Sequence, residues 1–450
     1  MQPAIARYLP RDMAILGLIE AALSFAAIYA VITMADTSGT LPIIADMPLH
    51  DAFGLAAVMT LTAAATGAVI GLYRFDVCLD RKRLLAKAGL AAMAAIAIAL
   101  PLRNKPLSAI SAAEALFLAK MLTAWLATIT LIRLIYRCAA GARHLRRRIL
   151  LIGEPDPVRL FKGYLQSRRG RAFVPVTLQP PGIGWKLARE QGIWGIVAVG
   201  GEPPAPTMAA LLDCKLRGLK ILTSAAFHEE FLGRIDLDAL TANDLLIGQG
   251  FGTTRSGAVA KRATDVILAI TMLILALPLM AITALAIKAD SPGPVLCRQR
   301  RIGQFGRPFT LFTFRTMTAD AEADGHPRSA HKRDSRVTRV GRFIRANHID
   351  ELPQLANVIT GEMSLVGPRP ERPHFVEHLT RTMPFYRLRA YVKPGLTGWA
   401  QVNVPHGASV EDAREKLAYD LYYVKHRSIM TDAAILLSTI RVMLFREEAR

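Results

Sequence analysis

Apolar positions along the chain fall into three regimes. Long uninterrupted apolar runs come first, at residues 13–35, 52–73, 84–102 and 116–136, each near the ~20 residues that cross a hydrocarbon layer. Beyond residue 147 the runs shorten. Ile149-Leu150-Leu151-Ile152-Gly153 and Gly195-Ile196-Val197-Ala198-Val199-Gly200 have the length of buried strands, with mixed helical stretches between them. A fifth long apolar run, 266–287, is followed by strand-like segments at 293–299 and 309–315, a polar loop at 320–332 and a helical tail at 410–445. The pattern predicts a membrane protein of α plus α/β class. Its parts are a four-helix transmembrane module at 1–146, a small α/β domain at 147–251 and a mainly helical domain at 252–450.

Charge orients these runs. Arg7 and Arg11 precede the first, Arg74, Arg81, Lys82 and Arg83 join the second to the third, and Arg143, Arg146, Arg147 and Arg148 follow the fourth, whereas residues 36–51 hold no Lys or Arg. Basic loops stay in the cytoplasm, so four crossings return the chain to that side. Glu20, Lys87, Lys120 and Arg133 lie in or at the ends of the runs, and Lys87 and Arg133 are expected to snorkel to the near interface as anchors. The fifth run differs. Lys261 and Arg262 stand before it, Lys288, Arg298, Arg300 and Arg301 after it, and Pro278 lies inside it. Both flanks are cytoplasmic in character, and proline removes a backbone donor and bends the helix. The expectation is a re-entrant helix, about 264–288, that turns at Leu277-Pro278 and leaves on the side it entered.

Composition narrows the partners. A hydrophobic content of 52% and a mean hydropathy of +0.28 favour membrane residence, and a net charge of +20 suits anionic lipid or phosphorylated substrates. Nucleic acid is not expected, since only 7% of residues are aromatic and no zinc spacing, basic zipper or RNA-binding aromatic motif occurs. Cys78, Cys138, Cys214 and Cys297 are scattered, which indicates reduced thiols rather than a disulfide framework or metal site. The α/β domain looks Rossmann-like but lacks the usual phosphate loop. Gly153-Glu154-Pro155-Asp156-Pro157 is not GxGxxG, and Gly182-Ile183-Gly184 has no third glycine in place, so a regulatory or homo-oligomerising module is expected instead of a dinucleotide site.

The candidate chemistry centres on Asp350-Glu351. Arg336, Arg339, Arg342 and Arg345 come just before this pair and Arg369 and Arg372 after it. A carboxylate beside a divalent metal and guanidinium groups can stay ionised and attack phosphorus while cations take up charge on the leaving oxygens. The same Asp350 could instead cap a helix whose early Pro353 costs no hydrogen bond. The segment 338–349 interleaves arginines with Val340, Phe343 and Ile344, which fits a helix resting on anionic headgroups or a solvated cationic face.

Four stretches, in order, break that tie: Asp334-Ser335-Arg336-Val337-Thr338-Arg339-Val340-Gly341, Asp350-Glu351-Leu352-Pro353-Gln354-Leu355, Gly367-Pro368-Arg369-Pro370-Glu371 and Pro394-Gly395-Leu396-Thr397-Gly398-Trp399-Ala400-Gln401. Together they resemble the bacterial sugar transferase family, the monotopic phosphoglycosyl transferases that start polysaccharide assembly, over about residues 261–441. The resemblance implies a catalytic domain on the cytoplasmic face of the bacterial inner membrane. It implies transfer of a hexose 1-phosphate, glucose or galactose, from a UDP-sugar to undecaprenyl phosphate, with release of UMP. Asp350 would be the nucleophile, and Asp350 and Glu351 would hold Mg²⁺. Arg369 would bind phosphate oxygens, with Arg315, Glu371 and Arg372 also at the substrate. Lys261, Arg262 and Asp265 would lie where the lipid phosphate arrives, and Trp399 and Gln401 would touch substrate or simply pack the turn. A membrane-anchored nucleotide-sugar dehydratase would need a dinucleotide fingerprint and a YxxxK pair, which are not present. A non-enzymatic export scaffold would leave Asp350-Glu351 without a purpose.

Overall fold

The structure, a computed structural model, describes residues 11–37, 52–70, 112–141, 147–166, 173–177, 184–201, 205–246, 250–252, 254–318, 336–404 and 409–445, with single positions between them. The expected polar loop at 320–332, and all but a few single positions of the apolar run at 84–102, lie outside these residues. Two compact units result, Met1–Leu222 and Thr223–Arg450.

In the first unit helix Arg11–Thr37 packs against helices Ala52–Ile70 and Ala112–Gly141. The first and third contain stretches long and apolar enough to cross a membrane, and Ala52–Gly67 is a shorter apolar helix. Packing follows a four-residue rhythm: Leu16, Glu20, Ser24, Ile28 and Ile32 are buried on one helix, and Phe117, Met121, Trp125, Ile129 and Arg133 on the other. Glu20 and Arg133 therefore occupy the stripes that face each other. Arg133 does not snorkel. It is fully buried, Nε donates to Glu20 Oε1 at 2.7 Å, Nη2 donates to Oε2 at 3.0 Å, and Nη1 reaches the Leu72 carbonyl. A planar fork met by a carboxylate and a backbone oxygen has little to gain from the interface. Lys87, also expected to anchor at the interface, is buried as well.

The α/β part of this unit is a four-stranded sheet in the order β2-β1-β3-β4, from β1 (Arg147–Gly153), β2 (Phe173–Thr177), β3 (Ile193–Val199) and β4 (Lys220–Thr223), parallel where β1 meets β2 and β3. Ile149, Leu150, Leu151 and Ile152 are all buried. Such a continuous apolar run, without alternation, is what a parallel strand covered on both faces needs.

The second unit is dominated by helix Arg255–Asp290, 36 residues long with Pro278 inside it. Its contacts step by three and four along one face, with Asp265, Ala269, Thr283 and Ile287 buried and Leu268, Ile270, Leu275, Leu277, Ile282 and Leu285 exposed. Around it stand the antiparallel hairpin of β5 (Leu296–Ile302) and β6 (Pro308–Phe314), the short parallel pair β7 (Ser364–Val366) and β8 (Gly395–Thr397), and helices Val410–His426 and Ile429–Phe445. Ala269 and Leu273 join a core with Leu355, Val358 and Leu365. Past the proline, Met280, Ala284 and Ile287 join another with Phe314 and Ile344. Leu352, one residue after Glu351, packs against both cores. The molecule is thus a mixed helix and sheet protein with long apolar helices, as a membrane-associated protein requires.

Candidate active site

Asp350 and Glu351 lie in a single 3₁₀ turn, Ile349–Glu351, entered through His348 at φ 54°. Asp350 is not a helix cap: Pro353 stands at the cap position of helix Gln354–Thr360, and no side chain bonds there. The turn presents both carboxylates at the end of the basic helix Arg339–Ala346, where Thr338 caps the first turn by accepting from Gly341 N at 2.9 Å. Phe343 on this helix is exposed beside its arginines. Burial and then the neighbouring Glu351 push the Asp350 carboxyl up to about 6, against the opposing pull of Arg345 and His348. A carboxylate so raised is a better nucleophile when ionised and invites a cation.

Arg369 closes on this turn from the other side. Its Nη2 donates to Glu351 Oε1 at 2.8 Å, and nearly half of its side chain stays exposed. The turn that carries it is welded by backbone. Gly367 N donates to Thr397 O at 2.9 Å and Gly395 N to Pro368 O at 3.0 Å. A Cβ on Gly367 would sit 2.3 Å from Lys393 O, and one on Gly395 2.0 Å from Gly367 N, so only glycine lets these two motifs cross.

Side chains complete the mounting. The Tyr423 hydroxyl lies 2.9 Å from Val366 O and 2.8 Å from Asp432 Oδ1, and Lys261 Nζ donates to Asp432 Oδ2 at 2.6 Å. Asp265 accepts from Leu365 N at 3.2 Å. Arg389, which the sequence reading missed, donates to Asp420 Oδ2 from Nη2 at 2.8 Å and from Nε at 3.0 Å, and its Nη2 also reaches the backbone oxygen of Arg369 at 3.0 Å. Asp420 lies on helix Val410–His426, inside the helical tail expected from the sequence, and nothing local marks its partner 31 residues earlier.

The remaining candidates are dispersed. Arg262 donates to the carbonyls of Val358 at 2.6 Å and Ile359 at 2.8 Å, closing the C-terminus of helix Gln354–Thr360. Arg315 does the same for Pro292 and Ser291 at the end of the long helix. Both are bound to backbone. Trp399 donates from Nε1 to Gly233 O at 2.7 Å and packs beside Tyr419 and Tyr422, while Gln401 Nε2 reaches Leu396 O at 3.4 Å. Glu371 accepts through its backbone from Ile302 N at 3.0 Å and its carboxylate is 4.0 Å from Arg301. Arg372 immediately precedes helix Pro373–Thr382. A cleft of about 620 Å³ opens beside Arg369 and Glu371. Among the described residues no three His, Cys, Asp or Glu side chains gather to hold a metal ion.

Residues 256–446 match the bacterial sugar transferase family. A relative from Aeromonas hydrophila, described as a UDP-N-acetylgalactosamine-undecaprenyl-phosphate N-acetylgalactosaminephosphotransferase, is 41% identical over 234 residues, 52% of this chain and 54% of its own. UDP-glucose:undecaprenyl-phosphate glucose-1-phosphate transferases from Xanthomonas campestris pv. campestris and Caulobacter vibrioides are 43% and 44% identical, over 41% and 42% of this chain. The matched part spans only 39% of the Xanthomonas protein, about half of the Aeromonas one, and 71% of the Caulobacter one. With motifs, site and relatives in agreement, the chain belongs to the bacterial sugar transferase family.

Proposed function

We propose that the protein is a phosphoglycosyl transferase that moves a hexose 1-phosphate from a UDP-sugar to undecaprenyl phosphate, the first membrane step of exopolysaccharide synthesis. The observation that carries this reading is the meeting of Asp350, Glu351 and Arg369 on two rigid turns. An Asp350 oxygen attacks the sugar-bearing phosphorus, the bond to the bridging oxygen breaks, and UMP leaves with the electron pair. The resulting aspartyl phosphosugar is then attacked by an oxygen of the lipid phosphate, and the Asp350 carboxylate is released. Arg369 takes up charge on the phosphoryl oxygens, and its bond to Glu351 keeps the fork aimed at the carboxylate turn.

Mg²⁺ fits this donor set. Two adjacent hard oxygen ligands, one of them held at a raised pKa by burial and by its neighbour, suit an ion that binds through one or two carboxylates plus substrate phosphates. Asp350 and Glu351 would hold it, and when bound it would supply neutralisation of the charge that diphosphate cleavage builds.

The membrane arrangement in this proposal is four crossings, then a re-entrant helix with the active site on the cytoplasmic face. Convergence of both arms of helix Arg255–Asp290 on Leu352 supports it. So does the anchoring of its two ends to one small region, Arg262 to Val358 and Asp290 to Val340 N. A straight helix would hold those ends about 42 Å apart, more than the ~30 Å hydrocarbon layer.

The test is UMP release from a panel of UDP-sugars, including glucose, galactose and N-acetylgalactosamine donors, with undecaprenyl phosphate. Without the lipid, wild-type enzyme and Mg²⁺ should exchange labelled UMP into UDP-sugar and carry an acyl phosphate on the Asp350 peptide, and Asp350→Asn should do neither. Normal lipid-linked product with no exchange would make Asp350 a metal ligand or general base.

A further inference from the structure

The cleft beside Arg369 is left unassigned by the reaction above. Its walls come from the turn between β5 and β6, the Pro368-to-Glu371 turn and the 3₁₀ segment Tyr386–Tyr391, and its volume of about 620 Å³ is that of a small-molecule site. At the rim Phe305 and Tyr391 meet edge to face, with centroids 6.1 Å apart and planes at 84°. Both rings are displayed to solvent, 64% and 58% exposed. Phe305 is held there at φ 56°, a left-handed conformation unfavourable for a bulky side chain. The turn therefore carries backbone strain without the return of burying its ring, a pattern typical of functional sites.

Charged side chains stand among apolar residues in the rest of the lining: Arg369, Glu371, Arg387 and Arg389, with Glu377 and Arg381 from helix Pro373–Thr382. Arg387 is exposed on the wall and has no hydrogen-bond or ion-pair partner among the described residues. Arg369 lines the cleft and also binds Glu351, so the cleft and the catalytic turn share one guanidinium. An aromatic corner at one end and cations leading to the reactive carboxylates at the other match a flat base joined to phosphate. A lipid tail would leave these charges unmatched. Glu371 also lines the cleft and offers a carboxylate that a ribose diol can donate to.

We propose that this cleft holds the nucleoside end of the donor, with the base against the Phe305–Tyr391 corner, the ribose at Glu371 and the phosphates running past Arg387 to Arg369. The inference rests on the reading that the donor is a uridine nucleotide sugar. Phe305 and Tyr391 are then donor-binding residues, and neither was singled out by the sequence. Stacking on aromatic faces accounts for the choice of residue at both positions.

A photoprobe tests this without turnover. Full-length protein irradiated with 5-iodo-UMP should be labelled on the peptide carrying Phe305 or the one carrying Tyr391, and excess UMP should block the label. Tyr391→Ala and Phe305→Gly should each raise the KM for UDP-sugar about tenfold and leave that for undecaprenyl phosphate unchanged, and Tyr391→Phe should restore the wild-type value. Label confined to other peptides, no label, or an unchanged UDP-sugar KM in both ring-deleted variants would overturn the assignment. Those results with normal UMP release sink only the cleft; absence of UMP release by the wild type with every donor sinks the transferase reading itself.

Discussion

Arg369 donates from Nη2 to Glu351 Oε1 at 2.8 Å, across 18 residues of chain that include helix Gln354–Thr360 and strand β7. A guanidinium already aligned by one carboxylate loses little further freedom when a phosphate arrives. Lysine keeps the charge and loses the fork, so Arg369→Lys should lower kcat/KM by about 2 kcal/mol, roughly thirtyfold. Steady-state UMP release measures it.

The raised carboxyl of Asp350 gives a pH signature. In the proposed reaction Asp350 must be ionised to attack, so kcat/KM in the free enzyme should fall about tenfold per pH unit below about 6. Stability should move the other way: between the usual carboxylate range near 3.8 and about 6 the folded state binds the extra proton, so unfolding becomes easier as pH rises through that window. Bound Mg²⁺ should shift the kinetic midpoint down. A profile flat from pH 5 to 8 would contradict the assignment.

Glu20 and Arg133 should behave as one unit. Glu20→Gln removes the negative charge that faces a buried guanidinium, and an uncompensated charge in a protein interior costs about 3 kcal/mol or more. Thermal unfolding in detergent should show a clear loss for either single change, and the exchange Glu20→Arg with Arg133→Glu should recover a large part of it.

Topology is checked at the two ends of helix Arg255–Asp290. Single cysteines at Ala258 and Ala289, both exposed, in a cysteine-free background should resist a membrane-impermeant thiol reagent in intact cells. Labelling of one end alone would mean that the helix crosses the membrane.

The two turns that meet at Glu351 and Arg369 were legible as candidates because the residues that mark them are local. Asp350-Glu351 and Gly367-Pro368-Arg369-Pro370 each stand within a few consecutive residues, and the burial of β1 follows from an unbroken apolar run. Arg133 was misjudged because its partner lies 113 residues away; only the four-residue stripes on both helices reveal that the two charges face each other. Arg262 and Arg315 were legible as important cations, but not as groups spent on the ends of helices. Phe305 and Tyr391 had no signal, since an exposed aromatic in a turn matches no periodicity.

The bond from Trp399 Nε1 to Gly233 O reaches outside the family match, which begins at 256. Ile235 and Leu237 lie with Trp399 in the core formed by Tyr386, Leu417, Leu421 and Tyr422, next to the Asp420–Arg389 pair that holds the backbone of Arg369. A fragment cut at the family boundary would bare that apolar face and orphan the indole donor. The compact unit that holds Arg369 and its supports begins at Thr223, and limited proteolysis of the intact protein should yield a stable fragment from there.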